Sequence, residues 1–135
     1  FGSLIRAFGS LGEVDAAWEA WNEMLAQHIV PTHGTIGCMV EALVANDYAH
    51  AAHELIGSLR LNEQTHPLID FVPYGSLLRG YRKSFDCSWA VYQEMLAEEI
   101  ELSVGNYTSV LEACAWEAAA PDSDAGGAAR KSHSG

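Results

Sequence analysis

The chain has 135 residues, with 49% hydrophobic side chains, 19% charged side chains and a formal net charge of −11. This composition can bury the core of one compact domain or a few repeats, which excludes a chain disordered throughout. No apolar run reaches the roughly 18 residues needed to span a bilayer, and the acidity taken alone disfavours nucleic acid, whose phosphates are held by Lys and Arg.

In chain order, four segments share one pattern: Phe1 to Phe8, Ile36 to Leu43, Tyr74 to Tyr81 and Tyr107 to Cys114. Their starts are 35, 38 and 33 residues apart. Each carries apolar groups at i, i+3, i+4 and i+7, as Phe1, Leu4, Ile5 and Phe8 show, which is one stripe of an α-helix. A second pattern follows the first three. Ala17 to Ala26 matches Ser88 to Ala97 closely, and Ala52 to Arg60 is a degenerate copy. Trp18, Trp21, Met24 and Leu25 form its stripe. A period of this length marks a repeat architecture of two-helix units, helix A then helix B, stacked because one pair cannot cover its own apolar stripe.

The expected units are 1–35, 36–73 and 74–106, with helix A of a partial fourth unit over 107–120. Gly9, Ser10 and Gly12 are expected to break the first hairpin, Asn46 and Asp47 the second, and Ser84 to Asp86 the third. Pro31, Pro67 and Pro73 are placed in links between units, where a missing N–H does no harm. Three extra residues within Leu61 to Phe71 suggest a longer, looser link. Pro121 stops any helix, and residues 121–135 are expected to form a disordered tail. Because Phe1 falls inside a unit, a preceding segment with any targeting peptide is expected.

The residues Phe1, Leu4, Ile5, Phe8, Ala17, Trp21, Glu23, Met24, Ile29 and Pro31 resemble the pentatricopeptide repeat. That family has an aromatic opening helix A, a Leu-Ile pair, a second aromatic, then Glu-Met on helix B and Ile before Pro in the link. The third unit repeats the marks with Tyr74, Leu77, Leu78, Tyr81, Tyr92, Glu94, Met95 and Ile100. The tetratricopeptide repeat is the nearest rival, but its Leu-Gly pair in helix A is missing here. The resemblance implies an all-α, right-handed α-solenoid that binds single-stranded RNA along helices A, one unit per base. It also implies a non-enzymatic protein of a mitochondrion or plastid, acting in RNA processing, stability or translation.

In that family the base is read by the residue after the opening aromatic and by the residue four before the next one. Carried over, the pairs are Gly2 with Thr32, Gly37 with Asp70 and Gly75 with Ser103, while Thr108 opens the fourth unit. Three glycines stand where the family has Asn, Thr or Ser, so poor discrimination between bases is expected. The competing reading is that these glycines ease close packing at the helix starts. A protein-interaction scaffold that keeps the fold without base reading is the corresponding functional alternative.

Ten-residue windows from each opening residue hold Arg6, Arg79, Arg82 and Lys83 against Glu41 and Glu112, a net of +2, while the rest up to residue 116 nets −12. The acidity is thus expected on helices B and links, and the four bases are the candidate phosphate contacts. Arg6 and Arg79 lie one turn beyond Gly2 and Gly75 on the expected reading face.

His50 and His53 have a metal-compatible spacing, but His53 takes the place of Trp18 and Trp89, so packing is the preferred reading and no metal or cofactor is expected. Trp18, Trp21, Trp89 and Tyr92 could stack on bases, yet they share the Glu-Met stripe and are assigned to the core. Cys38, Cys87 and Cys114 are expected as reduced thiols, with Cys114 buried in the stripe. No nucleophile–base arrangement or phosphate loop recurs with usable spacing, so no enzymatic site is expected.

Overall fold

The computed structural model describes residues 1–119; the tail expected over 121–135 lies outside them. Seven helices follow one another: α1 Gly2–Ser10, α2 Val14–Ala26, α3 His33–Ala45, α4 Ala49–Leu61, α5 Phe71–Gly80, α6 Phe85–Ala97 and α7 Val104–Ala118, with one 3-10 turn, His66–Leu68, before α5. The described residues contain no strand, and the fold is all-α. Helices α1, α3, α5 and α7 pack in a row as helices A. Each of α2, α4 and α6 packs on the A helix before it and the A helix after it.

The helix ends explain the spacing of the repeat marks. After α2 and α6 the chain enters the left-handed region at His28 (φ 59°) and Glu99 (φ 56°). The N–H of Ile29 then donates to the Met24 carbonyl at 3.1 Å and that of His28 to Leu25 at 2.9 Å. In α6, Ile100 donates to Met95 at 2.9 Å and Glu99 to Leu96 at 3.1 Å. This is the Schellman arrangement, in which the residue two past the cap bonds back five residues and brings its side chain near the helix. Met and Ile five apart in units one and three are thus the two ends of one hydrogen bond. Helix α4 ends differently. Thr65, buried, donates its hydroxyl to the Leu59 carbonyl at 2.6 Å, and His66 N–H reaches Asn62 at 2.7 Å. The link expected to be loose is therefore an ordered, hydrogen-bonded segment ending in the 3-10 turn.

Five helix boundaries differ from the sequence expectation. Helices α3, α5 and α7 begin three residues before the opening positions Ile36, Tyr74 and Tyr107. Pro73 therefore lies in the first turn of α5, where its missing N–H has no intrahelical partner to lose. Gly9 and Ser10 belong to the last turn of α1, and only Gly12 (φ 77°) takes the left-handed turn. Phe85 and Asp86 open α6, with Ser84 as its cap.

The core runs along the stack through Ile5, Trp21, Met24, Ile36, Met39, Leu43, Ile56, Tyr74, Leu77, Leu78, Val91 and Met95. Position decides burial more than residue type. The opening residues of α3 and α5, Ile36 and Tyr74, are 1% and 0% exposed, whereas Phe1 and Tyr107 on the terminal helices of the row are 41% and 49% exposed. The aromatics of helix B divide in the same way. Trp21 is buried, and Trp18 and Tyr92 pack partly against the core, but Trp89, assigned to the core from its spacing, is 40% exposed. It lies against Phe85 (ring centroids 5.8 Å apart) and Tyr92 (5.2 Å) on the side of α6 that has no further helix B over it among the described residues. Cys114, expected buried, is half-buried on α7 for the same reason.

One polar junction joins units two and three. Glu94, on α6, accepts from the Tyr74 hydroxyl at 2.6 Å and from Arg60 Nη1 at 2.8 Å. Its other oxygen faces His53 Nε2 at 3.0 Å, and Arg60 also donates to the Tyr74 oxygen. Burial alone would raise the Glu94 carboxyl, but the hydrogen bonds from Tyr74, His53 and Arg60 outweigh it and hold the group below its ordinary value of 4.5. The Glu of the Glu-Met mark thus connects helix B of one unit to helix B of the unit before. His50 Nδ1 instead lies 3.0 Å from the Tyr81 hydroxyl, so the two histidines serve different partners.

Two stability predictions result. A carboxyl whose folded pKa is depressed stabilises the fold above its unfolded value and loses that contribution as pH falls through the folded value. Glu94→Gln should cost about 2 kcal/mol at pH 7 and make the fall in Tm between about pH 5 and pH 3 shallower than in the parent chain, measured by circular dichroism melts across pH. Glu99→Gly, which relieves a left-handed non-glycine residue, should gain roughly 0.5–1 kcal/mol and raise Tm by roughly 2–4 °C. Glu99→Ala, which removes the charge but keeps the strain, should not.

Candidate nucleic-acid interface

The residues singled out as base readers fall into two structural groups. Thr32, Asp70 and Ser103 are the N-caps of α3, α5 and α7. Thr32 Oγ1 accepts from Thr35 N–H at 3.1 Å, Asp70 Oδ1 from Val72 N–H at 2.9 Å, and Ser103 Oγ from Asn106 N–H at 3.2 Å. Asn106 returns the bond by accepting from Ser103 N–H at 2.8 Å, which completes a capping box. Each side chain satisfies an orphan donor of its helix, a role worth about 1 kcal/mol. Their polarity has this structural cause whatever else they touch. Asp70 is held further by His33 of α3, whose Nε2 lies 3.2 Å from both carboxylate oxygens.

The glycines are not equivalent. A Cβ on Gly37 would meet nothing within 4 Å, so packing does not require glycine there. On Gly75 it would lie a tight 3.2 Å from Nδ2 of the buried, capping Asn106, which would have to shift, and on Gly2 an ordinary 3.5 Å from Thr35 Oγ1. Close packing instead demands glycine at Gly9 and Gly80, which sequence reading had treated as a turn residue and passed over. A Cβ on Gly9 would stand 2.6 Å from the Ala42 Cβ, and one on Gly80 3.0 Å from Val44 Cγ1. Both lie at the far end of helix A, where α1 meets α3 and α5 meets the α3–α4 corner. The only signal in the sequence is the small residues opposite them, Ala42 for Gly9 and Ala49 for Gly80.

Along the row of helices A runs an open trough made of two adjoining grooves. The first, about 430 Å³, lies over α1, α3 and α5 and is lined by Arg6, Gly9, Gly37, Cys38, Glu41 and Ser76 among others. The second, about 380 Å³, lies between α5 and α7 and is lined by Gly75, Ser76, Arg79, Ser103 and Thr108 among others. Val72 and Ser76 border both. Arg6 and Arg79 therefore face the same trough, as do Gly37, Gly75, Ser103 and Thr108. Thr32 and Gly2 do not line either groove, and Asp70 borders a separate cleft with Arg60, Glu98 and Glu101. The Thr108 hydroxyl is turned back to its own helix, donating to the Val104 carbonyl at 2.9 Å.

The charges are less favourable than the ten-residue windows implied. With the observed ends, helices A hold Arg6 and Arg79 against Glu41, Glu112 and Glu117. Arg82 and Lys83 lie beyond α5, in the turn before α6, where Lys83 Nζ sits 5.2 Å from the Trp116 ring centroid. Arg79 Nη2 donates to Glu41 Oε2 and to Ser76 Oγ, both at 3.0 Å, and Arg6 Nη2 contacts Cys38 Sγ at 3.7 Å. Of the remaining described acids, Asp15, Glu19, Glu23, Glu54, Asp86 and Glu94 are carried by helices B, and Glu13, Asp47, Glu63, Asp70, Glu98, Glu99 and Glu101 by the caps and links.

Comparison with known proteins bears on the first hairpin directly. A family model for the PPR repeat, the pentatricopeptide repeat, matches residues 1–29, and no curated protein matches the chain. The matched stretch is α1, α2 and the Schellman turn to Ile29. The third unit rebuilds the same turn with Met95 and Ile100. The first hairpin thus matches a pentatricopeptide repeat, and the chain around it is a short helical array.

Proposed function

We propose that the trough along helices A binds single-stranded RNA, as the repeat family's character as RNA-binding arrays suggests, and that it does so in a mitochondrion or plastid in the processing, stability or translation of a transcript. The observation that carries this reading is the placement of Arg6 and Arg79 on one trough lined by glycine and serine while thirteen of the sixteen described acids sit on helices B and the links. Phosphates would follow the arginines, and bases would enter where Gly37 and Gly75 leave room. Without side chains at those two positions, and with Ser103 and Asp70 already committed to capping, the array should accept several bases alike. An extended single strand suits such a trough better than a duplex, because its unstacked bases can be received one unit at a time.

A protein-interaction scaffold is the second reading, favoured by the pairing of Arg79 with Glu41 in the trough itself. The two readings separate in a gel-shift titration of the 135-residue chain with a labelled single-stranded 12-nucleotide RNA pool. RNA binding should weaken with salt by a slope of about −0.7 for each phosphate contact. Arg6→Gln should weaken binding and flatten that slope by one contact across all sequences. Gly37→Asn, which adds an amide in open space, should leave the slope unchanged and introduce a preference among bases. Salt-insensitive or absent binding favours the scaffold.

A further inference from the structure

The Arg79–Glu41 pair occupies a distinctive place in the trough. Glu41 lines the first groove, Arg79 the second, and Ser76, which borders both, accepts from Arg79 Nη2 at 3.0 Å. The same nitrogen donates to Glu41 Oε2 at 3.0 Å, so a charged contact crosses from α3 to α5 where the grooves adjoin. Both side chains are more than half exposed, 58% and 53%. A guanidinium is a planar fork of donors that fits carboxylate and phosphate alike. Ser76 holds that fork in place from its own helix, and the group facing it is an anion supplied by the neighbouring unit. Arg6, in the same trough, has no carboxylate against it among the described residues and reaches the Cys38 sulfur instead.

We propose that Arg79 and Ser76 form a seat for a phosphodiester oxygen of RNA, and that Glu41 occupies this seat in the unbound chain as an internal competitor. The proposal rests on the RNA-binding reading above and adds to it the residue that weakens that binding. Exposed ion pairs are weak, because water solvates both partners and screens their attraction. An incoming phosphate, drawn also by Arg6 and by Arg82 and Lys83 of the nearby turn, can therefore displace the carboxylate. Glu41 then turns toward solvent, and no bond is made or broken. The pair sets a threshold: a single phosphate gains little, whereas a strand that engages several units at once displaces Glu41 and gains the Arg79 contact.

The test is a set of binding titrations on the whole chain, with the labelled single-stranded 12-nucleotide RNA pool, between about 20 and about 200 mM KCl. Glu41→Gln should tighten binding about fivefold at the lowest salt, the order expected when a weak exposed pair no longer competes. Arg79→Gln in the Glu41→Gln background should abolish that gain, while Arg79→Gln alone should change affinity less than twofold. Circular dichroism melts should show all variants folded, since both side chains are exposed. If RNA binds but Glu41→Gln leaves affinity unchanged, Glu41 is no competitor and the RNA reading stands without it. If the gain survives Arg79→Gln, it is a general charge effect and the seat is overturned. If no variant binds RNA at the lowest salt, the proposal and the RNA reading both fail.

Discussion

A two-helix unit of this size has apolar groups on more than one side of each helix and can bury only part of them against its own partner helix. The rest is covered when the next unit lies alongside, and the whole structure depends on that. Tyr74 shows the requirement at its fullest. Its ring is enclosed between α5, α6 and α4, and its hydroxyl has to be satisfied inside the stack, where Glu94 and Arg60 meet it. Burial and the neighbouring Glu94 push the Tyr74 hydroxyl well above its ordinary range, and it stays protonated as a donor. Tyr81 is pushed up to about 12 by burial and by nearby Cys87, Glu54 and Glu94, and its hydroxyl lies against His50. These are interior polar groups made tolerable by partners from the adjoining unit, so the packing between units is specific in register as well as apolar.

The same stacking fixes the trough. Gly9 and Gly80 let helices A approach at one end, and the capped N-termini of α3, α5 and α7 stand at the other. Side chains in the middle turns of helices A are left facing outward over a shallow surface. Small residues there keep the surface open. The few charges on it matter for that reason, and whether Arg79 meets a phosphate depends on what Glu41 does. Most of the acidity is carried by helices B and the links, not by helices A. It still lowers the potential of the whole molecule, and long-range attraction of a polyanion is correspondingly weak.

The periodicity of apolar residues settled the helical pairs, their order and the all-α class, because burial of a stripe is a local demand that each segment writes into itself. The Glu-Met and Ile marks could be recognised without a structure, although their cause, a Schellman turn and a carboxylate junction between units, could not. The repeated apolar pattern opens three residues inside α3, α5 and α7, because the caps Thr32, Asp70 and Ser103 precede it by about one turn. The order in the link after α4 was illegible for a different reason: Thr65 and His66 bond to groups that only the folded chain brings near.

Tertiary structure alone decided which members of a repeated pattern are equal in fact. Tyr74 and Tyr107 occupy the same place in their units, yet one is enclosed and the other half open, because burial is a property of what lies on both sides. Trp89 and Trp18 differ in the same way. Gly37 and Gly9 are both glycines on helices A, but only the second has a backbone against it. Arg79 and Arg6 read alike in the sequence, and only coordinates show that a glutamate 38 residues away holds the first. A sequence records what each segment must bury; it does not record which neighbour arrives, and that neighbour determines exposure, partnership and charge.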